Sequence, residues 1–373
     1  MRGPRTLSIY IVREVLQYAL LGLAAITLVL VARNLVRVLD EVIGAGFRFT
    51  DLMTVVRLLV TMLVSYALPI AFLFGVLLAV GRMAADVEIT AMRACGVSLV
   101  GIVLPITLVG VLISCLHFHL SVVVEPAAQR QLGKAIVTLL AKGATIVPGE
   151  FTVIGGRLIY VESRDENVLT GVVLADRSDP KRMMMIFAAS GEMNLDEEKG
   201  ELTIALRNGD IHIDPPSDPY RAYQRIAFDK FDYTLNMEGL LGPGAVPRAR
   251  EMTVAELREV VDFVESGGPT YGLRESEPLA YELHLYRRYS APLSSTLFAL
   301  VGVPLGMRRT RGARAWGVLL SAGVAFVYYA VQSLGEFIAL SGWLAPVIAL
   351  WIPNVAFAAL AGVLLMRARR LQG

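Results

Sequence analysis

Apolar residues come in six long runs, at residues 15–31, 58–80, 97–124, 291–307, 316–338 and 344–366. A helix that crosses a bilayer needs about 20 mostly apolar residues, so each run predicts a span. The first resembles a signal peptide only superficially. Its apolar run is too long, no small-x-small cleavage site follows, and Arg33 and Arg37 continue the helix, so a retained span is expected. Between the third and fourth runs the pattern changes. Leu132, Ile136, Leu139 and Leu140 keep helical spacing over 125–142, and then short β-prone runs follow at 157–162, 169–174, 183–188, 202–206 and 225–235. The signals Gly155-Gly156, Ser178-Asp179-Pro180, Glu197–Gly200 and Asn208-Gly209 read as turns between them. Thr253 and Glu256 match a capping box ahead of Val254, Leu257, Val260, Val261 and Val264, which predicts an amphipathic helix, with a hinge at Ser266–Pro269. The expected fold is an α-helical membrane protein of six transmembrane helices, three plus three, with an inserted periplasmic all-β domain, a sandwich or open jelly roll. The division is 1–124 for spans one to three, 125–282 for the β domain with flanking helices, and 283–373 for spans four to six.

Composition excludes an ordinary soluble enzyme: 55% of residues are hydrophobic, 18% are charged and the mean hydropathy is +0.58. The formal net charge of +2 conceals two bodies. Residues 125–282 carry 17 basic and 26 acidic side chains, whereas the rest carries 18 basic and 7 acidic. Arginines gather in the N-terminal arm (Arg2, Arg5, Arg13), the second loop (Arg82, Arg93), the fourth loop (Arg308, Arg309, Arg311, Arg314) and the tail (Arg367, Arg369, Arg370). By the positive-inside rule both termini are expected in the cytoplasm and the acidic insert outside. Within the spans ionisable groups are scarce. Arg57 starts the second, and Glu336, about 20 residues into the fifth, reaches the outer interface at about 1.5 Å per residue. Such helices suit an acyl chain better than an ion-driven hydrated solute.

No phosphate loop occurs: the Gly133-Lys134 pair is followed by Ala135 and lacks the leading glycine, so the chain should not hydrolyse nucleotide itself. His117 and His119, at i and i+2, should face different ways and make a poor metal pair. Cys95 and Cys115 are too far apart along the helix axis to bridge. No catalytic residue, metal or cofactor is expected, and no nucleic-acid partner.

The loop at about 82–96 is the most specific local feature. Asp86 and Glu88 come early and Arg93 late, as a helix dipole favours, and Gly96 ends the segment. This suits a coupling helix that docks on a motor protein through Glu88; a plain amphipathic connector with solvated charges fits the same pattern. Arg33 and Arg37, four apart at the outer end of span one, share a face and could grip phosphate bidentately, or they could snorkel and pair with Asp40 and Glu41. Gly302 and Gly306 permit close helix approach, and Pro69, Pro105, Pro292, Pro304 and Pro353 interrupt or kink spans.

The run Glu88-Ile89-Thr90-Ala91-Met92-Arg93-Ala94-Cys95-Gly96-Val97-Ser98, together with the three-plus-three layout, resembles the LptF/LptG permease family of lipopolysaccharide export across essentially the whole chain. That run and Asn34–Leu39 are closer to the family's LptF branch, while Pro304-Leu305-Gly306 is shared broadly. The resemblance implies the permease subunit of an ABC transporter that extracts lipopolysaccharide from the inner membrane. An LptG-like permease would pair with it, a dimer of an LptB-like ATPase would power it, and LptC-like and LptA-like jelly-roll proteins would continue its β domain. It also implies that Glu88 is the coupling acid, with Asp86 and Arg93 beside it, and that Arg37 contacts the sugar-phosphate head, with Arg33 nearby. Asn34 and the acidic Glu336 depart from the basic residues the resemblance leads one to expect. Two other classes remain open from sequence. A membrane-embedded lipid enzyme would need converging acid, base and nucleophile, which are not evident. A mechanotransmitting ABC subunit would act on a periplasmic partner without moving lipid through the bundle.

Overall fold

A computed structural model describes residues 3–42, 49–143, 148–154, 157–165, 168–179, 182–196, 201–214, 223–236, 249–266, 279–307 and 313–370. Gly155, Gly156, Pro180, Glu197–Gly200, Gly267–Pro269, Arg274, Arg2 and the fourth-loop arginines Arg308, Arg309 and Arg311 therefore lie outside the described residues, as do the side chains of Asp40, Glu41 and Arg314.

Helices α1 (Gly3–Val42), α2 (Phe49–Ala85), α3 (Glu88–Ala94), α4 (Leu99–His119) and α5 (Glu125–Gly143) come first. A five-residue π turn, Leu120–Val124, joins α4 to α5. Strands β1 (Phe151–Ile154), β2 (Arg157–Asp165), β3 (Val168–Asp179), β4 (Arg182–Asp196), β5 (Glu201–Asp214) and β6 (Gln224–Asn236) follow. Then come α6 (Val254–Glu265), α7 (Leu279–Ser290), a 3₁₀ turn at Ala291–Leu293, α8 (Ser294–Gly306), α9 (Ala313–Leu340) and α10 (Pro346–Arg370). Among the described residues, six helical segments are long and apolar enough to cross a membrane: Arg5–Val36, Leu52–Ala85, Leu99–Ala135, Leu279–Gly306, Trp316–Leu340 and Pro346–Arg370. All six expected spans are present, most of them longer than their apolar runs.

Helices α2 and α8 form the centre of the bundle. Val76 and Val80 of α2 meet Gly302 and Gly306 of α8, where an added Cβ would come within 2.9 and 3.0 Å of the valines. The expected small-residue seam is thus used for close approach. The faces of this pair bury Phe72, Leu73, Leu77, Phe298 and Val301 against α1, α4, α9 and α10. The outer helices keep apolar residues turned away from the core, including Leu20, Leu28, Phe326 and Phe337.

The insert is one antiparallel meander in the order β1 to β6. Its core residues Ile159, Leu174, Ile186 and Ile204 are wholly buried, although the strands make their extensive contacts with one another and not with helices. The sheet covers itself by folding along a crease. Pairing skips one position on each of five strands, in a line running Glu162, Gly171, Ala189, Asn208 and Asp229. The inward set changes parity across that line, from Ile204 and Leu206 to Ile211 and Ile213 in β5, and from Leu169 to Val172 and Leu174 in β3. A skipped residue would otherwise turn one half inside out, because side chains alternate faces. Gly171 (φ +61°) and Asn208 (φ +52°) supply left-handed backbone at the crease. Asn208-Gly209 is therefore not the turn its sequence suggests: its left-handed conformation bends β5 in mid-strand, and the ladder resumes on both sides. Strand β1 carried no clear sequence signal.

Thr253 caps α6 as expected, its hydroxyl accepting from Glu256 N and the Glu256 carboxylate accepting from Thr253 N. Arg130 of α5 donates to Glu251 O at 2.6 Å and pairs with Glu256, so one glutamate ties the α6 start to the α5 extension.

Candidate functional site

At the end of the bundle bearing the α2–α4 loop, α2 runs through Arg82 to Ala85, and α3 is narrower than the expected 82–96, with Asp86 in the intervening turn. Val87 has φ 63° and ψ 5°. That left-handed conformation is costly for a β-branched residue. Glu88 opens α3 and Arg93 lies in its last turn, complementing the dipole, while buried Ile89 anchors the helix on the bundle.

Arg82 holds this turn. Its Nη1 lies 3.2 Å from Asp86 Oδ2 and 3.4 Å from Glu88 Oε1. Its Nη2 donates to Tyr10 Oη at 2.8 Å, and Tyr10 Oη donates to Glu88 Oε2 at 2.8 Å. Its Nε lies 2.8 Å from Glu14 Oε1, an ion-pair contact that is not aligned as a hydrogen bond. One guanidinium thus bridges three carboxylates and connects α1 to the start of α3. Tyr10 and Glu14 are four apart on one face of α1 and meet it together. A groove of about 580 Å³ runs beside α3, lined by Thr90, Arg93, Val97 and Met307 among others. Asp86 and Glu88 thus meet at Arg82, whereas Arg93 lines the groove and has no described contact with either. The partner that sequence reasoning missed is Arg82, which had read only as a loop arginine; its i,i+4 spacing to Asp86 was the available signal.

The opposite end, bearing the β domain, holds a second polar assembly. Arg287 Nε donates to Glu336 Oε1 at 2.9 Å, its Nη2 pairs with Oε2, and Gln332 Nε2 donates to Oε1 at 3.2 Å. Tyr66 donates to Glu125, and Arg288 Nη2 reaches Arg250 O at 3.4 Å. These residues, with His117 and His284, line one cavity of about 170 Å³. The spans are less free of ionisable groups than their sequence suggested. Glu125, Arg287 and Arg288 sit where helices extend past the apolar runs, in α5 and α7, while Glu336 lies near the end of the fifth run, in α9. Glu336 is a bound partner of Arg287, which accounts for an acidic residue there. His117 is buried and His119 exposed, so the two do face different ways. Arg33 is exposed on α1. Arg37 lies in the same helix, and its side chain is outside the described residues. Cys95 caps α3 and Cys115 lies in α4, both as free thiols.

In the β domain, Asp176 accepts from Tyr233 Oη at 2.5 Å and from Arg157 Nε at 3.1 Å. Burial pushes the Tyr233 hydroxyl well up, and its hydrogen bond to Asp176 adds to this. The trio crosses from β2 and β3 to β6 and closes one edge of the core.

Six helices long and apolar enough to cross a membrane, split by a β insert, define a polytopic membrane protein. The family described as lipopolysaccharide export system permease LptF/LptG matches residues 9–367, and the chain belongs to it. It is 23% identical to the lipopolysaccharide export system permease protein LptF of Escherichia coli K12, over 95% of this chain and 93% of that protein. The LptF proteins of Escherichia coli O157:H7 and Shigella flexneri match to the same extent. The likeness is thus to the LptF branch, which the loop run from Glu88 to Ser98 had favoured.

Proposed function

We propose that this chain is the LptF-type subunit of an ABC transporter that extracts lipopolysaccharide from the bacterial inner membrane and passes it to its own β domain. The observation that carries this is Glu88 at the start of α3, next to an open groove and keyed through Arg82 to α1 and α2. The loop end faces the cytoplasm, where the distribution of arginines places it, and an LptB-like ATPase dimer grips α3 there. Asp86 and Arg93 flank the contact. The β domain faces the periplasm and hands lipid to LptC-like and LptA-like jelly rolls. An LptG-like permease covers the bare apolar faces of α1 and α9.

Each acyl CH₂ brought into water costs about 0.8 kcal/mol, so a many-chained lipid needs both an apolar route and an energy source. The exposed Leu20 and Leu28 of α1 supply apolar surface for the route, in the cavity left between this chain and the LptG-like permease. ATP binding in the partner supplies the energy, moving α3 and, through Arg82, the start of α1. Arg33 and Arg37 hold the lipid's phosphates at the far end of α1. The interior of the folded sheet is apolar and filled by its own side chains, so acyl chains enter it only when the sheet opens.

Glu88→Ala should leave the chain inserted and folded while ATPase co-purification in mild detergent, or ATP-driven lipid release, falls at least about tenfold, the equivalent of one charge-assisted contact. Normal assembly and export by that variant would refute the coupling role. Photocrosslinking from the inward positions Ile186 and Ile204 separates export from mechanotransmission: export places lipid there during turnover, whereas a subunit that merely moves a partner does not.

A further inference from the structure

The cavity at the β-domain end is enclosed by this chain alone. It carries three guanidinium groups, on Arg250, Arg287 and Arg288, against the carboxylates of Glu125 and Glu336. Inside, Arg287 and Arg288 balance the two carboxylates; the third cation, Arg250, is exposed at the mouth and leaves the entrance positively charged. Its polar atoms are also unevenly satisfied. Arg288, His117 and Gln332 are 7%, 5% and 7% exposed. Among the described residues, Arg288 Nη1, His117 Nδ1 and Gln332 Oε1 have no hydrogen-bond partner, and all three side chains line this cavity. Arg288 Nη1 can only donate and Gln332 Oε1 can only accept. The complementary guest carries a negative charge, acceptor oxygens and at least one hydroxyl. A volume of about 170 Å³ admits a group of phosphate size and excludes a sugar-lipid. The exposed Arg250 and Ser333 mark the mouth, at the level where the helices leave their apolar stretches.

We propose that this cavity is an intrachain binding site for a hydroxyl-bearing phosphate group: the headgroup of an anionic glycerophospholipid such as phosphatidylglycerol, or free hydrogen phosphate. Arg288 and Arg250 take the phosphate oxygens, and Gln332 Oε1 accepts from the hydroxyl. The Arg287–Glu336 pair, already satisfied, fixes the outer end of α9 as one wall. A zwitterionic headgroup brings no net charge and is disfavoured. The site is separate from Arg33 and Arg37 on α1, and it stands whether or not the chain exports lipopolysaccharide, because its test reads binding alone.

The test uses the full chain, with whatever subunits accompany it, in mild detergent for titration with inorganic phosphate. In parallel it is reconstituted into phosphatidylethanolamine nanodiscs doped with phosphatidylglycerol, and retained lipid is counted after detergent re-extraction. Saturable phosphate binding that weakens about tenfold or more in both R250Q and R288Q identifies free phosphate as the guest. Retention of phosphatidylglycerol over phosphatidylethanolamine, lost in the same variants and without phosphate binding, identifies the headgroup. The R367Q variant, in the last turn of α10 at the opposite end of the bundle, should change neither result. Absence of both kinds of binding, survival of binding in R250Q, or its loss in R367Q instead would overturn the proposal. Arg250 is exposed, so R250Q decides the outcome even if R288Q fails to fold.

Discussion

Arg82 shows how much of a site can depend on a residue whose neighbours are distant in sequence. Glu88 was legible because it sits in a distinctive run, Glu88–Ser98, and at a helix start. Its partners Tyr10 and Arg82 lie 78 and 6 residues away, and only the packing of α1 on α2 brings all three together. Arg82 is about one-fifth exposed, so its contacts are partly desolvated. Arg82→Met should lower the stability of the loop end by about 1–3 kcal/mol, because three carboxylates lose a shared cation. Tyr10→Phe removes two hydrogen bonds of one hydroxyl but leaves the Arg82 ion pairs in place, and should cost about 1 kcal/mol. Hydrogen exchange in α3, compared between the two variants, checks the ranking. Equal protection in both would show that Arg82 is a bystander.

At the scale of elements, the β insert was readable as strands but not as a folded sheet. Each β-prone run matched a strand, yet the crease is written only as a change of parity in the apolar alternation, as between Leu206 and Ile211, which in sequence reads equally as the end of one strand. Asn208-Gly209 looked like a turn because both a turn and a crease require left-handed backbone. Gly209 distinguishes them: an added Cβ would lie 2.1 Å from Phe187 O, which no rotamer relieves. Gly209→Ala should therefore destabilise the β domain by at least about 2 kcal/mol. Asn208→Gly, which eases the strained φ, should be neutral or stabilising by up to about 1 kcal/mol. Denaturation monitored by the Tyr and Phe signals of the sheet checks both. The α5–α6 clamp, legible in part from its capping box, makes a pH prediction. Burial alone would raise the Glu256 carboxyl, but the Thr253 N–H and the Arg130 guanidinium outweigh it and hold the group below the usual glutamate range. Its stabilising contribution is then complete above that usual range and is lost as pH falls through the group's own lower value. Exchange protection of α6 should fall on acidification in the native chain and show no such step in Glu256→Gln.

At the scale of the whole molecule, the bundle has a well-packed centre and a bare perimeter. In the most apolar windows of the spans, 72% of the α2 residues are buried within the chain, against 28% for α1 and 28% for α9. Hydropathy identified all six helices but could not rank them, since a helix hydrophobic all round serves equally in a core or against lipid. The ranking separates two kinds of phenylalanine. Phe298 is wholly buried in α8, with the rings of Tyr328 and Phe357 centred 5.1 and 6.1 Å away. Phe298→Ala should cost about 3–5 kcal/mol and reduce the yield of folded chain. Phe326 of α9 is 73% exposed, so Phe326→Ala removes almost no contact within the chain and should leave its melting unchanged. If α9 meets a second permease subunit, as proposed, the same variant should still weaken co-purification of that subunit, because a large aromatic at a packed interface is an anchor. Unchanged melting with unchanged co-purification would assign this face to lipid and move the subunit contact elsewhere on the perimeter.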